Sequence, residues 1–292
     1  MAKSPRIWNR RSRKDALTHW LITLGVGAVI LLCMRIISAQ TEWDFVKNAH
    51  IQGQDLGMRL FLPQWWLDTP SLLQSGEFWG LFTEFMVARL SYGVSLWDPL
   101  VDTIHIATLG TIIGVVIATP LAFLAAQNTT PSRRLIRPVA LMLLVASRSV
   151  NSLIWALLLI VILGPGVLAG IIAIALRSVG FCGKLLYEAI EEIDAGTVDA
   201  VRSTGASGWQ VLVYGVAPQI APAFAGISVY RWDINIREAT ILGLVGAGGI
   251  GMALTASIDN LAWGQVSVIF FVILGTVVIS EWVSAKARAA VT

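Results

Sequence analysis

The sequence predicts an all-α, polytopic membrane protein with about six transmembrane helices, and three observations predict it. Of 292 residues, 56% are hydrophobic and only 13% charged, against roughly 25% charged in an ordinary soluble domain. Mean hydropathy is +0.73. The apolar residues gather into several stretches of the roughly 20 residues needed to cross a bilayer's hydrocarbon. This composition excludes a disordered or disulfide-stapled chain and argues against a soluble enzyme. Cys33 and Cys182 both sit inside apolar stretches, which leaves no disulfide framework and no metal-ligand spacing. The formal net charge is +3, but six of the 21 Lys+Arg crowd into the first fourteen residues. A basic cap on an apolar chain points to membrane lipid, not to nucleic acid.

Residues 1–15 read as a basic cytoplasmic N-terminus. The first transmembrane helix falls within 16–38, where Ala16–Met34 carries no charge. That run is too long for a signal peptide's apolar region and no A-x-A site follows it, so the span is expected to remain uncleaved. Residues 39–100 form a polar, lysine- and arginine-poor segment expected on the periplasmic side. Its Trp43, Trp65, Trp66, Trp79 and Trp97 fit either a chain lying at the interface or a small folded loop with a tryptophan core.

The core segment, 101–285, continues the count. Thr103–Ala126 runs inward and ends before Arg133, Arg134 and Arg137; Val139–Leu163 returns outward and stops at Gly164, Pro165 and Gly166. Val167–Tyr187 runs inward, and Trp209–Tyr230, containing Pro218 and Pro222, runs outward. Asn260–Ser280 comes in last, before Lys286, Arg288 and a cytoplasmic tail at 286–292. Ala239–Ile258 is uncharged but holds Gly243, Gly246, Gly248, Gly249 and Gly251, a poor composition for a continuous helix. It is expected as a short or re-entrant helix, because a seventh span would place the basic tail outside.

Signals for catalysis are missing. No G-x-x-x-x-G-K-[ST], H-E-x-x-H or G-x-S-x-G occurs, and His19, His50 and His105 lie far apart. Gly246, Gly248 and Gly251 satisfy G-x-G-x-x-G without a preceding soluble strand, and Asp259 is too near to serve the ribose. The glycine string, Gly249 included, reads as a gate or packing segment. Arg148 and Arg177 lie near the middle of the third and fourth spans, where each costs roughly 2.5–3.5 kcal/mol. Together with Ser147, Ser149, Asn151 and Ser178 they form a candidate anion pathway, and no acid shares their spans. The alternative is a pair of arginines that only lock helices together. Arg231, Asp233, Arg237 and Glu238, at the end of the fifth span, read as a self-paired outer rim in preference to an outer gate.

The inward-facing loop 188–208 concentrates Glu188, Glu191, Glu192, Asp194 and Asp199 against Arg202 alone. Ala195–Thr204 reads as a short helix lying below the membrane, capped by Asp194 and stopped by Gly205. Asp199, Ala200 and Val201, then three residues, Gly205, and thirteen positions on Pro218, resemble the loop motif of importer permeases of the ATP-binding cassette class. That motif has Glu for Asp199, Ala for Val201, and Ile and Leu where Gly215 and Ala217 stand here. The strings 188–194, 203–206, 214–219, 230–231, 235–237 and 239–251 are similar to the permease subunit of phosphonate importers, a family also associated with phosphite and related anions.

The resemblance implies a type I ABC importer-like core with a cytoplasmic coupling helix, in a bacterial inner membrane with both termini cytoplasmic. It implies a homodimer, two cytoplasmic ABC ATPase subunits that use ATP and Mg, and a periplasmic phosphonate- or phosphite-binding protein. This chain itself would bind no cofactor. It further implies that Asp199, Ala200 and Gly205 couple the ATPase to the spans, with Pro218 loosening the helix above. The competing classes are a secondary transporter or channel for a small anion and a non-transporting scaffold. A secondary transporter should show internal repeats and an acid inside a span, and neither is evident.

Overall fold

The computed structural model describes residues 13–40, 48–61 and 69–290, and among these every element is helical. The basic residues before Arg13, together with Trp43, Trp65 and Trp66, lie outside the described residues. The chain divides into two compact units, 1–57 and 58–292. The first holds α1 (Arg13–Gln40) and most of α2 (Ala49–Phe61). Trp20–Ala39 has a mean hydropathy of 2.3 and none of it is buried. A helix that is apolar all round and unburied is solvated by lipid.

The second unit contains α3 (Thr69–Ser75), α4 (Phe78–Ser95), α5 (Trp97–Ala125), α6 (Ile136–Ser149), α7 (Ser152–Leu163) and α8 (Val167–Glu191). There follow α9 (Ala195–Ser203), α10 (Gly208–Val211) with a π-turn at Leu212–Val216, α11 (Ala217–Gly243), α12 (Ile250–Asp259) and α13 (Trp263–Ala289). The centre is the α5–α8 pair, flanked by α6, α7 and α11, with α13 on α11 and α4 on α13. Lipid gives little hydrophobic drive between helices, so association depends on small residues that let backbones approach. Here Ala107, Ala118, Ala122 and Ala173 are fully enclosed, and a side chain at Gly114 would begin 2.5 Å from Ser178 Cβ.

The two ends of the bundle are tied differently. At one, the Gln127 amide donates to Glu191 (2.9 Å) and Asn128 Nδ2 donates to the Ile190 carbonyl, so the α5–α6 and α8–α9 loops share that end. At the other, the Gly166 amide donates to the Gly246 carbonyl (3.0 Å) and the Ile250 amide to Thr103 Oγ1 (2.8 Å).

Two expectations change. Val139–Leu163 is not one helix: α6 and α7 meet at 86° about Val150 and Asn151. Asn151 Oδ1 accepts the Leu153 amide (3.1 Å), capping a new helix inside what hydropathy reads as a single apolar run. The fifth span does not stop at Tyr230; the helical run extends over Gly208–Gly243, because the charges that end the apolar pattern find partners inside the protein. Of the outer-segment tryptophans, Trp79 and Trp97 are the two described, and they are 65% and 66% exposed. The glycine-rich stretch turns at 244–249 and then forms α12, whose ten residues reach about 15 Å, half the hydrocarbon thickness. It is the short helix that the glycine content predicts. At Gly249, φ is +75° and a Cβ would meet Thr103 Oγ1 at 2.5 Å, so only glycine fits.

A side chain at Gly251 would run into the Thr240 carbonyl and lie 2.7 Å from Gly243 Cα, whereas Gly275 in α13 has open space around it. Gly251→Val is expected to separate α12 from α11 at a cost of about 1–3 kcal/mol, and Gly275→Val to be tolerated. Thermal unfolding of the two variants in mild detergent checks this: the first loses several degrees of Tm and the second keeps it.

Candidate functional site

The loop at the α8–α9 end separates the five acids by role. Glu188 pairs with Lys184 one turn back (3.5 Å) and Glu191 with Arg137 of α6 (3.5 Å). Asp194 caps α9: its oxygens accept the Gly196 and Thr197 amides at 3.1 and 3.0 Å and the Thr197 hydroxyl at 2.6 Å. The Thr197 hydroxyl first, then the two amides, hold its carboxyl below the ordinary aspartate value. Asp199 faces Arg202 at 3.4 Å with both side chains more than two-thirds exposed, a pair worth little by itself. Glu192 is exposed. No residue of α9 is buried, so Asp199 and Ala200 stand on a free surface. Gly205 closes the helix with φ +82° and nothing within 4 Å of a would-be Cβ, the left-handed stop for which glycine is preferred.

How the loop meets α11 was not legible in the sequence. The Asp194 amide donates to Gln219 Oε1 (2.9 Å), while Gln219 Nε2 donates to the Gly215 carbonyl (2.7 Å). Gln219 therefore straddles the loop and the helix foot, and only its place in the 214–219 string singles it out. That foot contains the π-turn, followed by Pro218 in the first turn of α11 and Pro222 within it. Each proline lacks an amide, so the ladder is weakened where the loop is attached.

Mid-bundle, the structure gathers a polar core from α5, α7, α8, α11 and α13. Arg177 Nη1 donates to Glu238 Oε1 (2.6 Å) and reaches Ser152 Oγ (3.4 Å) at the start of α7. Arg231, only 1% exposed, places Nη2 3.5 Å from the other Glu238 oxygen, donates through Nε to Ser178 (3.1 Å) and lies over the Phe181 ring. Asn235 Nδ2 donates to Thr111 (2.7 Å) and Ser178 (3.0 Å). Asp233 pairs with Arg237 and accepts from Ser280 (2.9 Å). The charges at 231–238 do pair among themselves, Arg231 with Glu238 and Asp233 with an exposed Arg237, but Arg231, Asp233 and Glu238 are drawn into the bundle instead of forming a rim, and Arg177 has an acidic partner on another helix.

The candidate pathway residues part company. Ser178 of α8 is fully enclosed against α5 and α11, and Asn151 is the cap of α7. Arg148 is exposed at the end of α6 and enters no ion pair or hydrogen bond among the described residues. Ser147 beside it donates to the Leu176 carbonyl and accepts the Gly180 amide (3.0 Å), inserting its hydroxyl into the α8 ladder and fixing α6 against it. Of the glycine string, Gly248 packs on Val167, Gly249 on Thr103 and Gly251 on the α11 backbone, and Gly246 supplies the carbonyl for Gly166. Among the described residues no group of His, Cys, Asp and Glu is arranged to hold a metal.

Comparison with known proteins bears on both regions. The phosphite transport system permease protein PtxC of Stutzerimonas stutzeri is 43% identical over 190 residues, which cover 65% of this chain and 69% of that protein. The phosphate-import permease protein PhnE of Mycolicibacterium smegmatis is 39% identical over 212 residues, 71% of this chain but 40% of that protein's length. Among solved structures, the inward-facing MetNI methionine ABC transporter aligns with a TM-score of 0.58 at 19% identity, over 68% of this chain and 96% of that one. An amino acid ABC transporter structure aligns with the same TM-score and identity over 70% and 94%. At that identity the likeness is one of fold. The family model for the inner membrane component of binding-protein-dependent transport systems matches residues 110–284, spanning the loop and the polar core alike, and the chain belongs to that family.

Proposed function

We propose that this chain is the permease subunit of an importer that moves phosphite, phosphonate or a related phosphorus oxyanion into the cell, driven by a separate ATPase. The observation that carries the reading is the broken helix. At the 86° bend between α6 and α7, helical backbone stops inside an apolar run, which is tolerated in a membrane only within protein or beside a water-filled path. Arg148 sits on one side of the break, and the N-terminal end of α7 on the other, with Arg177 reaching Ser152 there. Guanidinium groups and a helix N-terminus both favour an anion. The relatives named for phosphite and phosphate supply the chemical class.

The chain has no nucleotide-binding motif of its own, so ATP and Mg would be used by two cytoplasmic ATPase subunits docking on the α9 loops of a homodimer. A periplasmic binding protein would deliver the anion. On this reading both termini and the α5–α6 loop, with Arg133 and Arg134, are cytoplasmic. The secondary transporter or channel alternative draws no support from the family match.

Gly205→Arg is expected to leave the permease in the membrane while weakening ATPase association and uptake. Gly205→Asn, which tolerates positive φ, should be milder than Gly205→Ala, whose backbone strain is about 1–2 kcal/mol. Pull-down of the ATPase with the purified permease orders the series, and equal recovery for all three would remove the loop from coupling.

Arg148→Ala should lower uptake of labelled phosphite or phosphonate at least severalfold without loss of assembled complex, and Arg148→Lys should retain part of it. Unchanged uptake by a well-expressed Ala variant removes Arg148 from the pathway.

Asp194 binds its cap hydrogens as a carboxylate, so its contribution is present above the ordinary aspartate value and is lost as pH falls through the lower folded one. Uptake between pH 6 and 8 should therefore show no titration from it. Asp194→Asn, whose one amide oxygen keeps only one side of the cap, should fall modestly below the unmodified protein and Asp194→Ala should fall below both, as measured by ATPase activity of the reconstituted complex.

A further inference from the structure

The charge balance of the polar core singles out Glu238. Asp233 is occupied by Arg237 and Ser280, leaving Glu238 as the carboxylate that serves both Arg177 and Arg231. Its two oxygens are split between them, one at 2.6 Å from Arg177 and the other at 3.5 Å from Arg231. The two arginines are held differently. Arg231 is 1% exposed and anchored by Ser178 and the Phe181 ring, so it cannot leave. Arg177 is 31% exposed, and its other contact is a long one, 3.4 Å to Ser152. One triad, Arg231, Glu238 and Arg177, thus joins a fixed guanidinium, a shared carboxylate and a guanidinium that opens toward the α6–α7 break.

We infer that Glu238 is a built-in counter-ion that occupies Arg177 while the pathway is empty and that the transported oxyanion displaces from it. The inference rests on the phosphorus-oxyanion reading above and deepens it by naming the group that controls residence of the anion. The physical need is twofold. An empty pathway that left Arg177 unpaired at membrane depth would carry a large desolvation cost. A pathway whose cations had no competing anion would retain the substrate, and import requires that binding be weak enough for release. When the oxyanion takes Arg177, Glu238 keeps Arg231 as its partner, so no buried carboxylate is stranded. Arg148, exposed and unpaired among the described residues at the same break, would supply the second cation for the arriving anion.

The test uses the purified permease–ATPase complex, with whichever of phosphite, 2-aminoethylphosphonate or phosphate the unmodified complex imports in liposomes with its binding protein. Import of none of the three overturns the phosphorus-oxyanion reading and this inference with it. Otherwise, binding of that anion to the detergent-solubilised complex without binding protein is measured by equilibrium dialysis. Glu238→Gln keeps the shape and removes the charge, and should bind the anion at least about tenfold more tightly, the scale of a lost charged competitor, while turnover in liposomes falls. A structural ion-pair lock would not tighten binding. Equal or weaker binding by an intact Gln complex overturns the inference and leaves the importer reading standing, because the unmodified complex still transports. Should the Gln variant fail to assemble, Glu238→Asp decides: its shorter carboxylate should withdraw from Arg177 and give an intermediate gain in affinity, and unchanged affinity overturns the inference.

Discussion

Helix α8 lies so close against α5 that a side chain at Gly114 would begin within 2.5 Å of Ser178, and the rest of the bundle depends on that contact. In lipid, helices gain little from burying one apolar surface against another, so a seam of small residues with close backbone contact is what holds a pair together. The same approach sets the position of Ser178, whose hydroxyl accepts from Arg231 and Asn235 of α11. Asn235 in turn reaches Thr111 on α5. The seam of small residues is thereby continued as a polar clamp on the third helix, and α11 is fixed against both others through a few hydrogen bonds.

A charge inside a membrane protein is costly unless it faces protein or water and has a partner. This chain places Arg177 and Arg231 inside its bundle and leaves Arg148 exposed at the end of α6. Glu238 answers the first two, while Asp233 answers Arg237 separately. The excess is therefore cationic and lies where α6 and α7 break. The pairing explains why α11 tolerates four charged residues between 231 and 238 without ending as a span.

The α9 loop is joined to the foot of α11 through a small set of specific hydrogen bonds. Asp194 rigidifies the start of α9, and Gln219 ties the residue at its cap to the foot of α11. Immediately there, the π-turn at Leu212–Val216 and the prolines at 218 and 222 leave the backbone ladder incomplete. A stiff lever attached to a weakened helix foot bends at the foot. At the opposite end the glycine turn packs against Val167 and Thr103, so the far end of α11 is closely held.

What the sequence by itself determined were the features written in local composition. Uncharged runs marked the helices, Asp194 and Gly205 marked the limits of α9, and five glycines between 239 and 258 predicted a short or re-entrant helix instead of a span. Each follows from backbone conformational preference or transfer to lipid, which need no knowledge of neighbours. Only the tertiary structure decided the rest. The break at Asn151 carries a local signal, an Asn–Ser pair within an apolar run, but hydropathy averaged over a span conceals it. The charges at 231–238 ended the apolar pattern and so read as a boundary, because a linear sequence cannot show that Ser178, Arg177 and Ser280, up to 61 positions away, would satisfy them. Whether a charged residue ends a membrane helix or sits inside one depends on partners from other helices, and that pairing exists only once the bundle has formed.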